Sequence, residues 1–86
     1  MSRIVVLSLT TGEQYVDMTG GGKLFLYVTA DTRLAFDQFS LGDGMDYFLL
    51  LGGTTYIFDQ PNPFQGQPCF VRADSGTATM RVLVSG

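Results

Sequence analysis

The chain has 86 residues, with 5 basic and 8 acidic side chains for a formal charge of −3, and neither histidine nor tryptophan. This length predicts one domain; the missing imidazole removes every His-based acid, base and metal ligand, and the scattered Arg3, Lys23, Arg33, Arg72 and Arg81 form no stripe for phosphates, which argues against nucleic acid. Only 15% of residues are charged, against about 25% in an average globular sequence, so part of the surface is expected to face something other than water.

Apolar residues recur with a period of two between clusters of Gly, Asp, Asn, Pro and Thr, and no window sustains a helical period. This predicts an all-β chain. Eight strands are expected near 3–9, 13–18, 23–29, 32–39, 45–51, 55–59, 68–73 and 77–84, filling residues 1–86 as a single antiparallel β-sandwich. Thr10-Thr11-Gly12 and Asp74-Ser75-Gly76 each end in a glycine suited to positive φ, which predicts hairpins between strands 1 and 2 and between strands 7 and 8. Ala30-Asp31 and Gly52-Gly53 are tight connections. The stretch from Pro61 to Pro68 contains three prolines, which cannot donate backbone hydrogen bonds, and it is expected to be a long crossing loop. Such a connection among hairpins suggests a Greek-key or jelly-roll-like order. The run Ile4-Val5-Val6-Leu7 is too short for a signal-peptide core or a membrane span. No membrane contact and no cleaved leader are therefore expected. Cys69 is the only thiol, which excludes an intrachain disulfide and fits synthesis in the cytosol.

Alternation assigns the faces. Ala78, Met80, Val82 and Val84, with Leu24, Leu26, Val28, Leu34, Phe36, Cys69, Val71, Val16 and Met18, are expected to form the core. The opposite faces should be polar in a monomeric antiparallel sheet, yet they carry Phe25, Tyr27, Phe70 and Leu83. The strand containing Tyr47, Phe48, Leu49, Leu50 and Leu51 is apolar on both sides. We expect Phe25, Tyr27, Phe70 and Leu83 to be interface residues, with Tyr15 and Phe64 as further candidates.

No motif carries a chemistry. Leu41-Gly42-Asp43-Gly44-Met45-Asp46 could offer two carboxylates to a hard cation but lacks the spacing of a calcium loop, and a solvated turn is the simpler expectation. Thr19-Gly20-Gly21-Gly22 could present N–H groups to an anion, but it has neither the Lys-Ser/Thr nor the helix of a phosphate loop. Cys69 has no histidine to activate it and reads as a small buried hydrophobe. Asp37, Asp46 and Asp59 single out no acid–base pair. No catalytic residue, metal or cofactor is assigned.

The stretch Cys69-Phe70-Val71-Arg72-Ala73-Asp74-Ser75-Gly76-Thr77-Ala78-Thr79-Met80-Arg81-Val82-Leu83-Val84 resembles the terminal hairpin of small β-sandwich virion proteins of tailed bacteriophages. The segments 21–30 and 32–36 have a similar character. The resemblance implies a capsid decoration or cement protein, made in the host cytoplasm and located in the virion, that sits on the head lattice as a homo-oligomer, often a trimer. It carries over no residue-level site.

The residues and the resemblance together lead to the expectation of a non-enzymatic structural protein whose partners are copies of itself and a larger protein assembly such as a capsid. The alternative is a carbohydrate- or receptor-binding sandwich, whose rings and Asp-rich loops would meet sugars. A jelly-roll enzyme ranks last, because the metal sites of such barrels usually rely on histidine.

Overall fold

The computed structural model describes residues 3–19, 22–59, 64 and 67–85. The described residues form eight strands and no helix: β1 (Arg3–Leu9), β2 (Gln14–Val16), β3 (Leu24–Val28), β4 (Thr32–Ala35), β5 (Phe48–Leu50), β6 (Thr55–Phe58), β7 (Cys69–Ala73) and β8 (Ala78–Val84). Each lies within or at the bounds of a strand expected from the period-two pattern. They build two antiparallel four-stranded sheets, ordered β1-β8-β3-β6 and β2-β7-β4-β5.

The order comes from a single idea. β1 pairs with β8, β2 with β7, β3 with β6 and β4 with β5, so the chain is one long antiparallel ribbon folded at its middle. Rolling that ribbon brings β3 against β8 and β4 against β7, which closes the two sheets. This is the strand order of a jelly roll, an all-β sandwich as the alternation implies.

The connections correct two expectations. β1 and β2 lie in different sheets, as do β7 and β8, so neither pair is a hairpin. Both short turns are corners that carry the chain from one sheet to the other. Gly76 adopts the expected positive φ of 65°, whereas Gly12 is not among the positive-φ residues. A Gly-ended turn suits a hairpin or a corner equally well, and distant pairing decides between them: only β8 matches the seven-residue length of β1. β4 and β5 are the consecutive strands that do pair, joined by residues 36–47. The proline-containing stretch links β6 to β7 and therefore joins the two sheets, although most of it, including Pro61 and Pro63, lies outside the described residues.

The core sits between the sheets. Leu24, Leu26, Val28, Cys69, Val71, Ala78, Met80, Val82, Val84, Val16, Met18 and Leu34 are buried there as expected, joined by Leu9, Leu50, Ala73 and Phe64. Phe36 is the exception, at 41% exposed. β4 ends at Ala35, so the alternation stops one residue early, and the Phe36 ring turns to meet Phe64 at the open end of the sandwich, 5.5 Å between centroids. Phe64 is correspondingly buried and is not a surface contact.

Candidate interaction surface

Residues opposite one another on paired strands share a face. On the outer face of the β1-β8-β3-β6 sheet, register places Ile4 beside Leu83, Leu83 beside Phe25, and Phe25 beside Ile57. One apolar row thus crosses all four strands. The next row is Val6, Arg81, Tyr27 and Thr55. On one side these rows end at the Lys23–Asp59 ion pair (3.3 Å) and Ser85; on the other they end at Ser8 and Thr79.

Ile4, Val6 and Ile57 are 71%, 59% and 58% exposed, while Phe25, Tyr27 and Leu83 are half-buried. Ile4, Phe25, Tyr27, Arg81 and Leu83 line a shallow hollow of about 190 Å³. Arg81 is exposed and has no carboxylate within ion-pair distance among the described residues. The patch is therefore apolar with one free positive charge, on a protein whose overall charge is −3.

Three of the four expected interface residues meet here: Phe25, Tyr27 and Leu83. Phe70 does not join them. It lies half-buried on the outer face of the other sheet, edge-on to the exposed Tyr15 ring at 5.7 Å between centroids. Sequence reasoning missed Ile4, Val6 and Ile57. Ile4-Val5-Val6-Leu7 is apolar on both faces, so only the register with β8 shows which pair points outward.

The outer face of the β2-β7-β4-β5 sheet is partly covered. Arg33 points outward from β4, as its paired neighbours Arg72 and Leu49 do, yet it is buried. Its guanidinium meets Asp74 at 2.7 Å, Asp43 at 2.8 Å and the Leu41 carbonyl at 2.9 Å, and lies 4.6 Å from the centre of the Tyr47 ring. Hydrogen bonds to Asp74 and then Asp43 raise its pKa above the ordinary arginine value. Residues 36–47 are thus clamped over the sheet, with Leu41 buried beneath them. That arrangement commits Asp43 to a guanidinium, and no cluster of His, Cys, Asp or Glu that could hold a metal occurs among the described residues. The loop also presents Phe39, 79% exposed with a φ of 65°, whose N–H donates to the Glu13 carboxylate.

Cys69 is fully buried, and desolvation pushes its thiol up to about 12, the opposite of an activated nucleophile. Gly20 and Gly21 of the glycine run lie outside the described residues. A fully apolar hollow of about 180 Å³ opens at the end of the sandwich among Leu34, Phe36, Phe48, Leu50, Phe58 and Phe64. Compared with known proteins, the chain has no significant match to any family model, any curated protein or any solved structure.

Proposed function

We propose that the chain is a non-enzymatic structural protein that works by docking, with the outer face of the β1-β8-β3-β6 sheet covered by neighbouring protein in a larger assembly. The observation that carries this reading is the apolar row Ile4–Leu83–Phe25–Ile57 across the full width of a sheet whose outer face a solitary protein would keep polar. Burying roughly 400 Å² of this surface at about 25 cal/mol per Å² gives on the order of 10 kcal/mol gross. That is comparable to the roughly 4–15 kcal/mol lost in association, so a few well-packed rings decide the outcome. Arg81 favours an acidic group on the neighbour, and copies of this acidic chain supply them.

The assembly that the likeness of residues 69–84 names is the head of a tailed phage, where the protein would act as decoration or cement. The support is sequence character, carried by two strands in separate sheets rather than by a hairpin.

Phe25→Ser combined with Tyr27→Ser tests the docking face. Both side chains are half-buried on the outside of the sheet, so the variant is expected to keep a β-type circular dichroism spectrum while losing the part of its self-association made through this face, read as a fall in mass by sedimentation velocity. Unchanged self-association would discard the face. Saturable glycan binding by a monomer would favour the carbohydrate-binding reading instead.

A further inference from the structure

The four edge strands are unequal. β2 and β5 have three residues each and β6 has four, whereas β1 has seven. Proteins guard a long sheet edge with charge, proline, a bulge or a covering segment, because its unpaired peptide groups template another strand. From Ile4 to Leu9, β1 contains no charged residue and no proline, and its register with β8 runs unbroken.

Which peptide groups are free follows from β8. The Thr29 N–H donates to the Thr79 carbonyl, and the Thr79 N–H donates to Thr29 Oγ1, so the peptide groups of Thr79 face β3. Ser8, opposite Thr79, therefore turns its own peptide groups away from β8. By the period of two, Ile4 and Val6 do the same. The Ser8 carbonyl accepts from the Gln14 side chain. The peptide groups of Ile4 and Val6 face outward with no strand beside them among the described residues.

We propose that β1 pairs antiparallel with β1 of a second copy about a two-fold axis, Ile4 lying opposite the partner's Val6, so that two four-stranded sheets become one. A second copy is the occupant because the segment is its own complement. In this register every free N–H and C=O of Ile4 and Val6 finds a partner, and β-branched side chains lie opposite one another. Centring the pair on Val6 instead would oppose Ile4 to Ser8, whose carbonyl is already engaged. Electrostatics do not oppose the contact despite the overall charge of −3. The one charged residue of β1, Arg3, is drawn to the Asp17 carboxylate and the Asp17 and Thr19 carbonyls of its own chain. A two-fold axis perpendicular to the sheet also keeps both outer faces on one side, so the apolar rows of the two copies become continuous. The seam rests on the strand edge and does not depend on what the outer face docks against.

In this register Val5 meets its own symmetry mate as a non-hydrogen-bonded pair, with Cα atoms about 4.5 Å apart, within disulfide range. Val5→Cys under mild oxidation is expected to give a covalent dimer on a non-reducing gel, and more of it than Val6→Cys. Cys69 is buried and contributes no competing thiol. Val6→Pro removes an N–H that no bond within the protomer uses and keeps the side chain apolar. In the Phe25→Ser, Tyr27→Ser background it is expected to halve the mass, from twice 9.4 kDa to 9.4 kDa, with the β-type spectrum retained. Cross-linking by Val6→Cys in preference to Val5→Cys would overturn the register. Cross-linking by neither variant, or an oligomeric mass unmoved by Val6→Pro, would overturn the seam. The gel result does not depend on Phe25 or Tyr27, so failure of the seam and failure of the docking face are read separately.

Discussion

Arg33 illustrates how a charge on an outer sheet face comes to be buried. It stands directly opposite Arg72, an arrangement that is repulsive by itself. Asp74 and Asp43 reverse the balance, and the Leu41 carbonyl takes a further N–H, so residues 36–47 close over the sheet. Replacing Arg33 with Met keeps the stem but removes the fork that grips these groups. The expected result is faster amide exchange across residues 41–47 and a lower Tm, with exchange in β3 and β8 unchanged; protection of the loop at the wild-type level would show that the clamp is dispensable. None of this was legible in the sequence. A carboxylate in a glycine-rich loop looks the same whether it awaits a cation or a guanidinium, and nothing local places Asp43 beside Arg33. Cys69 was legible, because alternation put it inward and the absence of histidine left it no activating partner.

At the scale of elements, the strands were readable and their connections were not. Period-two alternation reports which side of a strand is buried, and Leu24, Leu26, Val28, Met80 and Val82 all fall where it puts them. Corners are decided by contacts between distant turns, and the pair of corners at β3–β4 and β5–β6 shows how. The Gly53 N–H donates to the Val28 carbonyl, and the Gly52 N–H donates to the Asp31 carboxylate. At Gly52 a Cβ would come within 2.6 Å of the Ala30 Cα. Gly52 is therefore required for close approach of two backbones. Gly52→Ala is expected to destabilise the fold by roughly 1–3 kcal/mol, the cost of overpacking a tight contact, measured by urea denaturation; a loss below about 0.5 kcal/mol, the range of ordinary surface substitutions, would mean the two corners separate freely. The free edge of β1 has the same origin: whether a strand is an edge depends on sheet order, which no local pattern contains.

For the whole molecule, the low charge and the outward rings have one explanation. The core between the sheets accounts for the inward alternation; of what is left over, one sheet carries an apolar row across its outer face and an uncharged, unpaired strand at its edge, while Tyr15, Phe39, Phe48, Leu49 and Leu51 are exposed on or beside the other sheet. A domain this small gains stability from a partner that binds only the folded state. The sequence showed the surplus through Phe25, Tyr27 and Leu83 but could not collect it into a surface, since Ile4 and Ile57 join the row only through long-range register. Phe70 belongs to the opposite sheet for the same reason. The most direct test of the account is the mass of the unmodified protein in solution by multi-angle light scattering over a range of concentrations. Coverage of both the face and the edge by other copies predicts a mass above twice 9.4 kDa that falls to the dimer in the Phe25→Ser, Tyr27→Ser variant. A monomer at every concentration would contradict it.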